Sequence, residues 1–380
     1  MNNMQIIMEC GFDKDLVDEI VDMGLPVTHA LVHVPKNPIG NACLHLPKET
    51  SRRQEFDAFV DILLKNDIIP IAGIDSTCQG NLEAHVSQFN AIKNFIFNLK
   101  QLGVKDFFVS SPNNIGFLKA NHGDLNIYVS QSQNITSTNR AKIFFNIGAD
   151  FIFINPDILH YLQSLENIKK LADKMQKNLV LPVNLGCNWG CINWNFHHNL
   201  QSHRTIQSEI LPNQESLSDV KNEFDYPILN CWRKRLTNPV ELFKAGWISP
   251  INLQKYEDIG FKTIAINIMN LRKHDAVQVI KSYANKELNQ PINKFLAIPQ
   301  PYNDKWREDG FFNKLPILSP EIIESFFKNF PYEEHYPFEG KIVQYCQNFV
   351  EKYFPEISTK NGELITSIEK EMNHIEKGAI

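Results

Sequence analysis

No stretch of this 380-residue chain approaches the ~18 to 20 consecutive apolar residues of a membrane span, and its first residues, MNNMQIIMECGFDKDL, lack a basic segment ahead of an apolar one. No membrane partner is expected, and the chain reads as cytoplasmic. It also lacks a long basic block. With a formal net charge of −5, it does not read as a protein whose main task is gripping a phosphate backbone, so nucleic acid is not an expected partner. There is no GxGxxG turn after the first strand-like run, no HExxH and no GxSxG, which removes the usual signatures of dinucleotide binding, zinc proteolysis and serine hydrolysis. No internal repeat or low-complexity tract stands out. Cysteine is sparse and odd in number, seven residues at positions 10, 43, 78, 187, 191, 231 and 346, unlike the dense even set of a disulfide scaffold. Reduced thiols or metal ligands are expected. What the chain does have is apolar surface: 43% hydrophobic residues, with Phe alone supplying 26, is enough for a packed core.

Short β-type runs alternate with amphipathic stretches from the start. MQIIMEC (4–10), THALVHV (28–34), IIPIAGI (68–74), DFFVSS (106–111), LNIYVS (125–130), DFIFIN (150–155), LVLPVN (179–184) and KTIAIN (262–267) make eight strands, and a helical pattern closely follows each except the seventh. In the first such helix Leu16, Ile20 and Val21 form the apolar face. Recurrent βα units imply parallel pairing with right-handed crossovers, and eight of them suit a closed (β/α)8 TIM-like barrel better than a doubly wound sheet. The barrel is expected over residues 1–290. Residues 185–250, rich in Asn, Cys, Trp and His, form a long insertion before strand eight, and a loop of that length in a compact domain is usually functional. Residues 291–380 change character: IPQPYNDKW and FPYEEHYPFEG are rich in Pro and aromatics, and EIIESFFKNF and IVQYCQNFVEKYF are short helical pieces. They read as a C-terminal appendage.

A parallel barrel gathers the residues beyond its strand C-termini on one face, where the chemistry sits. Cys10 ends strand one, Cys43 and Cys78 follow strands two and three, Cys187 and Cys191 follow strand seven, and Cys231 lies in the insertion. Only Cys346 falls elsewhere. The CxxxC pair can place two sulfurs on one side of a turn for a metal ion or a cluster, although two buried structural cysteines would read the same way. Ligand type alone does not separate zinc from iron–sulfur. Polar residues closing apolar strands, Glu9, Asp75, Gln131 and Asn155, form with Asn184, His198 and His203 a convergent ring. Glu9, His198 and His203 are the catalytic candidates, and Asp75, Gln131, Asn155 and Asn184 the substrate-binding ones. Each alone also reads as a turn or capping residue.

Several segments resemble the U32 "peptidase" superfamily. These are ALVHVPKNPIGNACLHLPKETSRRQEFDAFVDILLKNDI, IDSTCQGN, and above all LVLPVNLGCNWGCINWNFHHNLQSH followed by ILNCWRKR and GWISPINLQKYEDIGFKTIAI. The resemblance covers about residues 1–290. It implies a barrel protein with a four-iron, four-sulfide (4Fe–4S) cluster held by Cys187, Cys191 and Cys231, with Cys78 preferred over Cys43 as the fourth ligand. The superfamily includes oxygen-independent hydroxylases of ubiquinone biosynthesis, RNA hydroxylases, and proteins named collagenase-like peptidases. This chain departs from the family in lacking the E-x-F-x-x-G-[SA]-x-C signature of the peptidases. It also has Ala265 and Met269 where the last strand usually carries Lys and Arg. Arg233, Arg235 and Arg272 are the nearby replacements for an anion contact, Arg233 being preferred. No second cluster is expected.

The resemblance implies an iron–sulfur-dependent enzyme that modifies a small molecule or peptide, by hydroxylation without oxygen or a related biosynthetic step. A peptidase is the alternative, with Cys187 and His197 as a nucleophile–base pair, although a cysteine used as a nucleophile cannot also be a cluster ligand. A non-catalytic subunit working with a second U32-like barrel is another. Zinc is the lesser cofactor.

Overall fold

The computed structural model describes residues 4–43, 53–80, 85–210, 221–269, 271–288, 291, 294–301, 318–333, 335–336, 340–355 and 361–378. Eight parallel strands close into a barrel in sequence order, each paired with its neighbours and β8 with β1. They are β1 (Gln5–Glu9), β2 (Val27–His33), β3 (Ile69–Gly73), β4 (Asp106–Val109), β5 (Asn126–Val129), β6 (Phe151–Phe153), β7 (Asn178–Pro182) and β8 (Thr263–Asn267). Each coincides with an expected run, β2 and β7 beginning one residue earlier than expected. The outer ring comprises α1 (Lys14–Asp22), α2 (Arg53–Lys65), α3 (Val86–Gln101), α4 (Pro112–Asn121), α5 (Thr138–Ile147) and α6 (Leu162–Lys174). The expected apolar face of α1 needs one correction: Leu16, Val17 and Ile20 are buried, whereas Val21 is 42% exposed. At 100° per residue, position 21 falls beyond the edge of that stripe.

The period of two along each strand sorts the core into two parts. Ile7, Leu31, Ile71, Phe108, Tyr128, Phe153, Val180 and Ala265, one from each strand, pack together inside the barrel. Their neighbours, such as Met8, Val32, Ala72 and Val109, belong to the larger core beneath the helices. Two residues further along each strand, the same inward phase brings Glu9, His33, Gly73, Ser110, Ser130, Asn155, Pro182 and Asn267 to the C-terminal mouth. An apolar floor therefore underlies a mostly polar ring, and the His33 imidazole stands edge-on over Phe108 at 6.4 Å.

The insertion is more regular than its sequence pattern implies. It contains α7 (Trp194–Ile210), α8 (Lys221–Thr237) and the short α9 (Val240–Lys244), before α10 (Leu253–Ile259) leads into β8 and α11 (Lys273–Asn285). Weak periodicity and Pro227 within α8 hide these helices, which are held instead by tertiary packing. Beyond the barrel, α12 (Pro320–Lys328), α13 (Gly340–Tyr353) and α14 (Gly362–Gly378) bring Phe326, Phe349 and Ile368 into the outer core. The last helix carries an apolar stripe, Leu364, Ile365, Ile368 and Met372, that the sequence reading passed over; most of IPQPYNDKW lies outside the described residues. Among the described residues no helix is long and apolar enough to cross a membrane.

Candidate functional site

The first three strands converge on a buried polar group. Glu9 at the end of β1 meets His33 at the end of β2, with Oε1 3.0 Å from Nε2. The other imidazole nitrogen, Nδ1, lies 3.4 Å from Asp75 Oδ1, just beyond β3. Asp75 Oδ1 also accepts the Ala42 N–H at 3.3 Å. The next residue of that loop, Cys43, points its thiol at Glu9 Oε1, 3.6 Å away. Glu9, His33, Cys43 and Asp75 are all buried. Space for the imidazole depends on Gly73: a Cβ there would stand 2.6 Å from His33 Nδ1. Burial pulls His33 toward the neutral form, but Cys43, Asp75 and Glu9 together outweigh it and hold its pKa well above the ordinary value. Burial pushes the Cys43 thiol up, Glu9 and Asp75 add to this, and His33 opposes it. The group thus sets an imidazole whose pKa is raised beside a thiol whose pKa is also raised.

A second cluster forms where the chain leaves β7. Gly186 donates its N–H to the Ala297 carbonyl at 3.0 Å. Any Cβ on it would lie 2.5 Å from Ile298, so the close approach requires glycine. The turn is pinned again by Trp189 Nε1 and Gly190 N–H, which donate to the Asp157 carbonyl and carboxylate at 3.0 and 3.2 Å. Cys187 and Cys191 from this turn and Cys231 from α8 line one pocket with Asn188, Trp194 and His198. Arg235, one helical turn past Cys231, is 1% exposed. Its Nη1 donates to Cys231 Sγ at 2.7 Å and its Nη2 to the Gly186 carbonyl. Burial, with Cys231 and Cys191 adjacent, drives the Cys187 thiol far above its ordinary pKa while Arg235 pulls it down. Cys191 is raised by burial and by Cys231. Thiols in this state are poor nucleophiles but become thiolates when a metal replaces their protons.

His198 joins the two clusters. Its Nδ1 lies 3.1 Å from the Ala42 carbonyl and its ring stands against Trp194 at 4.8 Å. A carbonyl only accepts, so Nδ1 carries the hydrogen. Nε2 then presents a buried lone pair with no hydrogen-bond partner among the described residues. Burial holds its pKa below the ordinary value, against the Ala42 carbonyl, Asp75 and Glu9, so the ring is neutral near pH 7.

The other expected site residues are placed differently. Cys78 does not reach the cysteine pocket: its sulfur lies 3.0 Å from His203 Nε2. His203 stands nine residues into α7 from Trp194, roughly 13 Å along the helix axis, so it too is remote from the start of that helix. Cys43, the other candidate fourth thiol, lies beside Glu9. Asn184 donates to the Asn267 and Phe295 carbonyls at 2.8 and 3.1 Å and accepts the Asn267 N–H at 2.8 Å, tying β7 to β8. Asn155 caps the turn after β6 by accepting the Asp157 N–H at 2.8 Å and donates to Asn134 Oδ1 at 2.7 Å. Gln131 has its Oε1 buried without a partner. Arg233 faces the C-terminal helix, 3.5 Å from Glu369. His33 is the residue that the sequence reading missed. Its signal was present, because it follows Leu31 by two positions as Glu9 follows Ile7.

Neither a family model nor a curated protein matches this sequence. Among solved structures, the fold is that of the U32 peptidase Mk0906, at a TM-score of 0.51 and 18% identity, covering 70% of this chain and 93% of that one. The U32 resemblance read in the sequence is met at the level of the fold. A mandelate racemase/muconate lactonizing protein from Paracoccus denitrificans Pd1222 is similar at a TM-score of 0.31 and 11% identity, over 54% of this chain and 53% of that one.

Proposed function

We propose that the chain is an iron–sulfur-dependent modifying enzyme of the U32 type, acting on a small molecule or peptide by oxygen-independent hydroxylation or a related biosynthetic step. The observation that carries this reading is the meeting of Cys187, Cys191 and Cys231 around one pocket, with the buried Arg235 cation on Cys231. The donor set fits a cluster better than a single ion. A tetrahedral zinc site with ~2.3 Å bonds brings thiolates to about 3.8 Å from one another. These three are not all within 4.8 Å of one another, as only Glu9, His33 and Cys43 are among the described residues. A cubane puts each thiolate on a separate iron and so spaces them more widely. Arg235 supplies positive charge against the thiolates, offsetting their mutual repulsion in a buried setting.

Such a cluster would supply one-electron redox chemistry at the barrel mouth. The protein's own contribution is the wall around it. His198 Nε2 is a neutral buried base that can accept a proton from a substrate in the pocket, and Glu9 lines the mouth beside His33. Gln131 Oε1 is an acceptor for a substrate donor. Trp194 and the apolar layer beneath the ring limit access of water.

A peptidase, the activity in the name of Mk0906, would find a thiol–imidazole–carboxylate order in Cys43, His33 and Asp75. Cys43 is buried and its thiol is raised, the wrong direction for a nucleophile. A partnership with a second barrel finds support in Ile192 and Phe196, 83% and 54% exposed beside the cysteine turn. Analysis of anaerobically prepared protein tests the main reading: it predicts about four irons and four sulfides per chain. One zinc without iron would overturn it.

A further inference from the structure

Glu9, His33 and Cys43 offer three different donors, a carboxylate oxygen, an imidazole nitrogen and a thiol sulfur, all within 4.8 Å of one another. We propose that they are the protein ligands of a mononuclear divalent ion of the zinc class, with Asp75 as the residue that positions His33. This goes beyond the cluster reading and stands without it, because Cys43 is not counted among the cluster thiols.

The argument is geometric. Zinc bonds of ~2.0 to 2.2 Å to nitrogen and oxygen and ~2.3 Å to sulfur, opened to the tetrahedral angle, separate N from O by about 3.3 Å and S from O by about 3.6 Å. The structure has Glu9 Oε1 at 3.0 Å from His33 Nε2 and 3.6 Å from Cys43 Sγ. An ion replacing the Nε2 proton would open the first distance by a few tenths of an ångström and leave the second unchanged. The far nitrogen of the imidazole, Nδ1, stands 3.4 Å from Asp75 Oδ1 without completing a hydrogen bond, close enough that a small turn of the ring on metal binding would bring the two into the carboxylate–histidine arrangement that leaves Nε2 for the ion. Asp75 is held in turn by the Ala42 N–H, and Gly73 leaves the room the ring occupies. The donors are also of suitable kinds, since one thiolate, one imidazole and one carboxylate suit a borderline-soft ion such as zinc. Three protein ligands leave a fourth position for water or a substrate oxygen, the pattern of a catalytic rather than a structural zinc site.

The test is a metal inventory of the full chain, prepared anaerobically with iron and zinc supplied. The wild type should carry about one zinc in addition to its iron. C43S and H33Q should each lose the zinc and keep the iron; C187S should lose the iron and keep the zinc. D75N should weaken zinc binding by about 10- to 100-fold, as loss of an orienting partner does. Cobalt substituted for zinc should give a thiolate charge-transfer band that vanishes in C43S. Far-UV circular dichroism identifies any variant that fails to fold, and H33Q then decides in place of C43S. Wild-type protein that retains no zinc overturns the proposal. So does a folded C43S that loses iron and keeps zinc, which would make Cys43 a cluster ligand. Absence of iron with zinc present would instead overturn the cluster reading and leave this one standing.

Discussion

Cys43 and Cys187 open onto the same end of the barrel, yet their surroundings are built in opposite ways. The first sits among side chains from consecutive strand ends, where hydrogen-bonded register fixes Glu9 and His33 before any ligand arrives, with Asp75 two residues beyond β3. The second sits on a turn held by contacts from far along the chain: Ala297, Asp157 and, through Arg235, α8. The strand-borne group is compact enough for one ion, and the loop-borne group is spread for something larger. Strand ends preorganise donors at little extra cost because the barrel already pays for their order, whereas an excursion must be pinned piece by piece.

The contrast breaks most completely if the cysteine turn is disabled. Cys187→Ala should take iron from about four per chain to none while leaving the barrel folded, read by iron analysis beside circular dichroism. Parallel loss of zinc would show that the two regions are one site. The next effect falls on the strand side. Gly73→Ala must push the imidazole aside, because its Cβ would lie 2.6 Å from Nδ1. The expected outcome is a loss of zinc affinity of about 10- to 100-fold and of about 1 to 3 kcal/mol in stability, with iron unchanged.

A smaller effect tests the seam between the strands and the excursion. His160, just past β6, reaches the Ala245 carbonyl at 3.1 Å and packs on Phe330 at 4.7 Å. Burial pulls its pKa from 6.5 down to about 4, the Ala245 carbonyl opposing. The unfolded chain therefore takes up the proton first. Stability should be unaffected above about pH 6.5 and fall as pH drops from there toward 4, by up to about 3 kcal/mol. Denaturant titrations across that range check it, and His160→Gln should flatten the profile. The smallest effect is expected furthest from the mouth. Cys346, fully buried in α13, should cost about 1 kcal/mol when changed to Ala and leave both metals untouched.

The same contrast explains what the sequence made legible. Short β-type apolar runs alternating with amphipathic stretches located all eight strands, and with them Glu9 and Asp75 at the mouth. They carried His33 equally well, by the same two-residue step past an inner-layer residue. Loop geometry has no such period. Nothing in the spacing told whether Cys43 or Cys78 folds back, and the structure sets one against Glu9 and the other against His203. Asn155 and Asn184 show a further limit, since an asparagine at a strand end serves backbone groups as readily as a substrate. The helices α7 and α8 escaped notice because packing, rather than an apolar stripe of their own, holds them.

The central claim is that Cys187, Cys191 and Cys231 hold an iron–sulfur cluster rather than a single ion. Mössbauer spectroscopy of anaerobic protein enriched in the active iron isotope tests it most directly. The predicted spectrum is that of a cubane, with valence-delocalised iron and no mononuclear component, and it disappears in Cys231→Ala. A spectrum of mononuclear iron, or a folded wild-type protein that takes up no iron at all, would contradict the account.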